Sequence, residues 1–507
     1  MKIDYIDLIE NSRVYDAAVV TPLTLAPQIS KKNGNSIFLK REDLQPVFSF
    51  KVRGAYNKIA SLSEEQKQRG VIAASAGNHA QGVAFSALKL GISAVIVMPE
   101  TTPMIKVDAV RSFGARVELH GESYSDAAEY AETLSESSSA TYIHPFDDPH
   151  VIAGQGTIAV EILEQFRVLD KQAPDIVFVC IGGGGLAAGI ACYLKQKCPA
   201  TKVIGVQAND SDAMARSLHA KEIVCLDEVG IFADGVAVKK VGDETFRLCQ
   251  LYLDDIVLVT TDEICSAIKD VFEDTRVLLE PAGALAVAGA KRYLRTNNLL
   301  GLNVVATASG ANVNFDRLRH VSERTEFAER REAVLAIRLA EQSGTLRALC
   351  EVLGSRNITE FNYRFSDEQE ALIYVGVAIK DSADLNKLLE SLKNGGYPAH
   401  DLTDNETAKL HVRHMIGGHL PKDLREMLYR FQFPEKPGAL MKFLDGVHSD
   451  WNISLFHYRN HGADFGRVLC GLQIPSIDQG RFESFLEQLE FPYFNETNNL
   501  AYRLFLS

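Results

Sequence analysis

Short apolar runs alternate with helical patterns as far as about residue 315, and this alternation limits the possible folds more than any other feature. The runs are Val71–Ala74, Ala94–Val97, Ile176–Val179, Val203–Val206, Ile256–Val259 and Val304–Ala306. The helical patterns between them cover residues 78–90, 123–137, 151–168, 185–197 and 262–275. Strands that are apolar throughout, with helices between them, indicate a parallel sheet covered on both faces. The sequence therefore predicts an α/β fold for this part of the chain.

The sequence after the charged segment at residues 322–333 contains an internal repeat. Ser343–Leu346 resembles Pro437–Leu440, and Asn357–Arg364 resembles Asn452–Arg459. Two similar blocks in the same order indicate a duplicated unit rather than chance similarity. Each copy has the pattern of a strand, a turn, a helix and a second strand, which is typical of an α+β unit.

The repeat and the charged segment together predict the domain organisation. By our count, 21 of the 42 aromatic residues lie in the last 182 residues, so the second part is built differently from the first. We predict helices over residues 345–354 and 439–447 within the two copies. The predicted domains are 1–320, a linker at 321–332, and two small units at 333–404 and 427–498.

Composition excludes several classes of protein. A net charge of −13 lacks the positive excess that nucleic-acid binding needs. The 8 cysteines include no C-x-x-C pair, which argues against disulfides and structural zinc. The acidic N-terminal segment does not resemble a signal peptide, and no apolar stretch approaches the ~18 residues of a membrane span. We therefore expect a cytoplasmic protein without nucleic-acid or membrane partners. No residues are assigned to a metal site, and the use of a cation stays open.

A lysine stands in an apolar setting in the segment SFKVRGA, at residues 49–55. Burial lowers the pKa of a lysine, and its neutral amine is then a usable nucleophile or base. The alternative is a lysine whose stem merely passes apolar neighbours on the way to solvent. Lys51 is thus a candidate catalytic residue.

Two turns that follow predicted strands are candidates for binding anions. The first consists of Ser75, Ala76, Gly77, Asn78 and His79, and the second consists of Gly182, Gly183, Gly184, Gly185 and Leu186. Both precede a helix, so their backbone N–H groups can bind a carboxylate or a phosphate. The second turn fits neither the dinucleotide fingerprint nor the Walker motif, which favours a single phosphate. The alternatives are an ordinary helix cap and a flexible connector.

Two further segments place a hydroxyl and a carboxylate near the same edge of the predicted sheet. Ser309 follows the last strand, where α/β folds bind ligands. Glu280 either faces that site or caps the helix predicted at 281–293. A phosphate site combined with a lysine that can form an imine suggests pyridoxal phosphate.

These motifs resemble those of the β-family, or fold type II, of pyridoxal-phosphate enzymes. Over nearly all 507 residues the chain resembles biosynthetic threonine dehydratases, also called threonine deaminases, including the tail segments at 359–364, 408–413 and 452–459. The resemblance implies a two-lobed catalytic domain with parallel sheets. It also implies an α+β regulatory domain of two ACT-like subdomains and a homotetramer.

The resemblance also implies roles for individual residues. Lys51 would hold pyridoxal 5'-phosphate covalently, Asn78 would bind its phenolic oxygen, and Ser309 would face its pyridine nitrogen. The turn Gly182–Gly185, with Leu186, would bind its phosphate, and the turn Ser75–His79 would bind the substrate carboxylate. Serine instead of aspartate at the pyridine nitrogen suits β-elimination. Ala76 replaces a serine found in relatives that racemise serine, so racemase activity should be weak.

The function implied is the conversion of threonine to 2-oxobutanoate and ammonia, and of serine to pyruvate, as the first committed step of isoleucine biosynthesis. The resemblance further implies that isoleucine inhibits the enzyme and that valine opposes this inhibition. The candidate effector residues are Gly344, Thr345, Leu346, Asn357, Gly438, Ala439, Leu440 and Asn452. Two alternatives stay open: a related lyase such as a serine dehydratase or threonine synthase, and a catalytically inactive amino-acid sensor.

Overall fold

The computed structural model divides into two compact units, Met1–Phe315 and Asp316–Ser507. It describes residues 3–315, 317–328, 332–340, 348–349, 352–354, 356, 358–364, 370–412, 426–434, 443, 446–447, 451–459 and 465–505. No helix among these described residues is long and apolar enough to cross a membrane.

The first unit contains both parallel sheets and the helices that cover them. Its strands are β1 (Leu23–Leu25), β2 (Ser36–Arg41), β3 (Val71–Ala74), β4 (Ala94–Met98), β5 (Arg116–Leu119), β6 (Thr141–Tyr142), β7 (Ile176–Cys180), β8 (Lys202–Ala208), β9 (Asp255–Val259) and β10 (Asn303–Ala308). Its helices are α1 (Tyr5–Glu10), α2 (Pro27–Asn33), α3 (Lys51–Ala60), α4 (Glu64–Arg69), α5 (Asn78–Leu90), α6 (Met104–Arg111), α7 (Tyr124–Ser138), α8 (Pro149–Val168), α9 (Gly185–Lys197), α10 (Ala213–Ala220), α11 (Asp243–Tyr252), α12 (Thr261–Thr275) and α13 (Pro281–Thr296).

The strands of this unit form two sheets, one in each lobe. The larger sheet has the order β1-β2-β10-β7-β8-β9, and the smaller has the order β5-β4-β3-β6. Every pairing is parallel except that of β1 with β2. The predicted α/β fold is confirmed, and all six predicted runs are strands. The sequence pattern missed four strands: β2, which carries two charged residues, and β1, β5 and β6, which are short or half-exposed.

The site lies at the carboxyl ends of strands, as expected for parallel sheets. The chain passes from β3 into the turn at Ser75, from β7 into the turn at Gly182, and from β10 into Ser309. The first turn belongs to the small sheet and the other two belong to the large sheet. The site is therefore built from both lobes of the unit.

The second unit contains two antiparallel sheets. It begins with α14 (Arg317–Ala328), which covers most of the predicted linker; the predicted domain boundaries themselves stay predictions. Its strands are β11 (Glu332–Ala340), β12 (Ile358–Arg364), β13 (Glu370–Ala378), β14 (Ala399–Asp401), β15 (Met427–Pro434), β16 (Asn452–Arg459), β17 (Phe465–Gln473) and β18 (Tyr493–Asn495). Its further helices include α15 (Ser382–Asn394), α16 (Glu406–Leu410), α17 (Gln479–Leu489) and α18 (Leu500–Phe505).

The two sheets of this unit have the same topology, as the sequence repeat predicts. Their orders are β12-β13-β11-β14 and β16-β17-β15-β18. The pairing also shifts register at equivalent points, between Ile358 and Glu360 in one copy and between Ile453 and Leu455 in the other. A shared irregularity at matching positions is a strong sign of duplication, because a bulge is a specific backbone feature.

The two copies fill their cores with different chemistry. The first core is aliphatic and includes Leu335, Ile337 and Leu388. The second is largely aromatic; its aromatic members are Tyr429, Phe431, Phe433, Phe443, Trp451, Phe482, Phe485 and Phe491. Much of the aromatic excess of the tail is therefore core packing in the second copy.

A third cluster joins the two copies on the other faces of their sheets. Val334 and Ala336 alternate with Leu335 and Ile337 along β11, as strand geometry requires. They belong to the same cluster as Leu428 of the second copy. The repeat therefore forms one packed unit rather than two separate modules.

Candidate active site

Lys51 is the first residue of α3, and its side chain is half-buried. Its Nζ donates to the carbonyl oxygen of Pro145 at 2.9 Å and lies 5.3 Å from the centre of the Phe50 ring. Burial lowers the pKa of Lys51 to about 8. A substantial fraction of the amine is then neutral near physiological pH, which a lysine passing into solvent would not achieve.

Backbone contacts hold Lys51 beside the segment that follows β10. Phe50 N donates to Ser309 O at 3.2 Å, Ala311 N donates to Phe48 O at 2.9 Å, and Ser49 pairs with Gly310 in an isolated bridge. Phe48 has a φ of 55°, which is costly for an aromatic residue. The chain accepts this strain at the point where it turns to direct Lys51 inward.

A buried ionic network, which the sequence pattern did not reveal, lies on the same helix. The Arg53 guanidinium contacts Glu42 at 2.7 Å and Glu161 at 2.6 Å, and Lys40 contacts Glu161 at 2.5 Å. All four side chains are at most 1 % exposed. The two positive and two negative charges therefore compensate each other in the interior. Their ion pairs connect α3 with α8 and with the end of β2. The only sequence signal was a pair of charges in the otherwise apolar β2.

Asn78 and Asn312 form a chain of hydrogen bonds that ends on Glu280. Asn312 Nδ2 donates to Asn78 Oδ1 at 2.6 Å, and Asn78 Nδ2 donates to Glu280 Oε1 at 2.5 Å. Glu280 precedes α13 but makes no side-chain cap there. Of the two alternatives open for Glu280, the structure therefore favours the one in which it faces the site.

The turn Ser75–His79 can bind an anion through backbone N–H groups but not through the imidazole of His79. Gly77 N donates to Ser75 Oγ at 3.2 Å, and the space where a Gly77 side chain would stand is open. His79 points away and contacts Ile143 O through Nε2 at 2.8 Å. Burial lowers the pKa of His79 to about 3, so its ring is neutral. The N–H groups of Asn78 and His79, in the first turn of α5, point out of the helix end, where a carboxylate binds.

The glycine turn Gly182–Gly185 packs too tightly for side chains. Gly184 has a φ of 101°, and a Cβ at Gly183 would lie 2.2 Å from the Phe146 ring. Thr245 Oγ1 donates to Gly183 O at 2.6 Å and fixes the turn. Within the described part of the chain, the N–H groups of Gly182 to Leu186 donate to no other group. These donors at the start of α9 form a cradle that fits a phosphate.

Ser309 supplies a hydroxyl, not a carboxylate, at the end of β10. Its Oγ donates to Ala282 O at 3.2 Å and accepts from Cys180 Sγ at 3.3 Å. A neutral hydroxyl there suits a neutral pyridine nitrogen. The amine, the amide, the hydroxyl and the phosphate cradle together fit pyridoxal 5'-phosphate. The segment Pro145–Phe146 contacts both Lys51 and the glycine turn, so it links the two halves of this site.

Comparisons with known proteins agree with this chemistry. Residues 14–310 match the family described as pyridoxal-phosphate dependent enzyme. Residues 323–412 and 417–506 each match the C-terminal regulatory domain of threonine dehydratase. The chain is 56 % identical over 508 residues to biosynthetic L-threonine dehydratase IlvA of Burkholderia multivorans, covering 99 % of both chains. It is 52 % identical over 505 residues to the enzyme of that name from Escherichia coli, covering 99 % of this chain and 97 % of the other.

The chain belongs to the biosynthetic threonine dehydratase family. Among solved structures, the processed form of threonine deaminase isoform 2 from Solanum lycopersicum matches with a TM-score of 0.61 and 49 % identity. That match covers 63 % of this chain and 87 % of the other. Maize serine racemase matches with a TM-score of 0.59 and 31 % identity over 62 % of this chain and 96 % of the other.

The membership of the threonine dehydratase family agrees with the resemblance drawn from the motifs, and the expected cofactor agrees with the family match. The individual effector residues stay predictions. Gly344, Thr345, Leu346, Asn357, Gly438, Ala439 and Leu440 lie outside the described residues. Asn452 is the first residue of β16, and only its backbone is described.

Proposed function

We propose that this protein eliminates water from L-threonine to release an enamine, which takes up water again on hydrolysis and gives 2-oxobutanoate and ammonia. L-serine would give pyruvate and ammonia in the same way. One observation carries the proposal: a half-buried lysine with a lowered pKa donates a hydrogen bond to the segment that packs on an open phosphate cradle. The names of the relatives that match along nearly the whole chain support threonine as the substrate.

The residues of this site would hold pyridoxal 5'-phosphate in one orientation. The N–H groups of Gly182 to Leu186 bind its phosphate, Asn78 donates to its ring oxygen, and Ser309 meets its pyridine nitrogen. Lys51 holds it covalently. When bound, the cofactor supplies an electron sink for the negative charge that develops at the substrate's α carbon.

Lys51 then acts as the base. With cofactor and substrate bound, the Lys51 amine would remove the proton from the substrate's α carbon. The pKa of about 8 leaves enough neutral amine for this step near neutral pH. The carbonyl of Pro145, 2.9 Å from Nζ, gives the released amine a fixed position inside the site.

The turn Ser75–His79 holds the substrate by its carboxylate. The open space at Gly77 admits the carboxylate to the N–H groups at the start of α5. The His79 imidazole takes no part, because it is buried and neutral. Ala76 has no group that can carry a proton, so racemisation of serine should be weak.

The duplicated second unit regulates this reaction in our proposal. Isoleucine inhibits the reaction, and valine opposes that inhibition. Each effector acts by binding two states of the enzyme unequally. The match of both copies to a regulatory domain supports this assignment. We further propose that the enzyme is a cytoplasmic homotetramer that catalyses the first committed step of isoleucine biosynthesis.

The test is a 2-oxobutanoate assay on the purified protein with threonine, with and without isoleucine. We expect turnover, inhibition by isoleucine and relief by valine. Lys51→Ala should lose turnover together with the visible absorption of the bound cofactor. Turnover of serine alone, or formation of D-serine, would favour a related enzyme, and an absent cofactor spectrum would favour an amino-acid sensor.

A further inference from the structure

Glu280 is a buried carboxylate that the proposed chemistry does not use. It is 6 % exposed, and its Oε1 accepts from Asn78 Nδ2 at 2.5 Å. A buried carboxylate must be compensated by donors or positive charge. Its contact with Asn78 therefore links it to the residue expected to bind the cofactor's ring oxygen.

The hydrogen bonds fix which way the Asn78 amide faces. Asn312 Nδ2 donates to Val47 O at 2.9 Å as well as to Asn78 Oδ1. Because a backbone carbonyl only accepts, the Asn312 atom between them is nitrogen, and the Asn78 atom facing it is oxygen. The Asn78 nitrogen therefore faces Glu280. That nitrogen carries two hydrogens, so one remains for a ligand.

The backbone around Glu280 leaves room for the carboxylate and for little else. A Cβ at Gly310 would lie 2.4 Å from Glu280 Oε1. Glu280 N also donates to Gly310 O at 3.2 Å, which ties the residue to the segment after β10. The carboxylate is thus held between that segment and α13.

We propose that Glu280 is a positioning residue that holds the Asn78 amide so that its second N–H meets the ring oxygen of bound pyridoxal 5'-phosphate. The inference rests on the proposed function, since Asn78 has this role only if the cofactor binds here. Glu280 has a separate electrostatic effect, because its negative charge raises the pKa of Lys51 against the larger effect of burial.

Two substitutions separate the two effects. Glu280→Ala removes the acceptor and the charge, so we expect about tenfold weaker binding of pyridoxal 5'-phosphate to the apoenzyme, and a shifted visible absorption band. Glu280→Gln keeps an acceptor at the same place, so it should restore most of the affinity. In the apoenzyme, both variants should lower the pH at which Lys51 is half acetylated by acetic anhydride, measured by mass spectrometry.

A second pair of variants tests whether Glu280 acts through Asn78. Asn312→Ala removes the donor that fixes Asn78 Oδ1, and it should weaken cofactor binding in the same direction. The double variant Glu280→Ala/Asn312→Ala should be little worse than either single variant, because both act on one amide. Glu263→Ala is a matched control, since Glu263 caps α12 and contacts Arg292 away from the site.

The results distinguish this inference from the proposed function. If the wild type shows no cofactor band that Lys51→Ala removes, the proposed function fails. If the band is present and Glu280→Ala binds the cofactor with wild-type affinity and spectrum, the function stands and the positioning role is wrong. Should Glu280→Ala not fold, wild-type cofactor affinity and an unshifted absorption band in Asn312→Ala would also overturn it, because that variant frees the same amide.

Discussion

Arg53 is the residue whose replacement should most destabilise the catalytic unit. Its guanidinium makes two hydrogen bonds to Glu42, at 2.7 and 2.8 Å, and two to Glu161, at 2.6 and 3.0 Å. Arg53→Met would leave Lys40 as the partner of two buried carboxylates. Breaking a buried pair costs about 3–5 kcal/mol, because a charge stays in the interior without compensation. We expect a loss of this size in the free energy of unfolding of the first unit.

The assay must follow the first unit and not the second. Trp451, the only tryptophan, is buried in the aromatic core of the second copy, so its fluorescence reports the other unit. Urea unfolding should therefore be followed by release of the bound cofactor and by hydrogen exchange of peptides from α3 and α8. Because Lys51 lies two residues from Arg53 on the same helix, turnover should fall with stability.

The loss of stability in Arg53→Met should depend on pH through Glu42. Arg53 holds the pKa of Glu42 below its usual range despite burial. Without Arg53, burial raises the pKa of that carboxyl, so the variant regains stability as the pH falls and the group takes up a proton. The deficit should be smaller at pH 5 than at pH 8. Arg53→Met/Glu42→Gln, which restores the charge balance, should recover much of the loss. A deficit below about 1 kcal/mol in Arg53→Met, the median of an exposed pair, would refute the reasoning.

Three further predictions concern the site and its regulation. Lys51 of the apoenzyme should be half acetylated near pH 8, the value its burial sets, whereas a midpoint above pH 10 would show that the amine is solvated. Gly183→Ala should weaken cofactor binding by at least tenfold because its Cβ would meet the Phe146 ring at 2.2 Å, whereas Gly480→Ala, with no atom within 4 Å, should bind normally. A chain ending at residue 325 should lose inhibition by isoleucine; an active truncated enzyme that isoleucine still inhibits would contradict the regulatory assignment.

The sequence alone determined six of the ten strands of the first unit and the local turns that follow them. Six unbroken apolar runs predicted six strands, because a strand that is buried on both faces of a sheet needs such a run. Glycines and small residues after those strands marked the two turns that we predict to bind anions. The sequence also showed the repeat in the second unit, and the matching register shifts in β12 and β16 agree with it.

Only the tertiary structure decided which distant side chains meet. Sequence patterns treat Lys40, Glu42 and Arg53 as surface charges, because the compensation that permits their burial comes partly from Glu161, far along the chain. The role of Glu280 was open for the same reason, since its partner Asn78 lies on the other lobe. His79 stands in a promising turn, yet helix geometry turns its ring toward Ile143. Periodicity encodes which face of an element is buried, but electrostatic pairing depends on contacts that form only when the chain has folded.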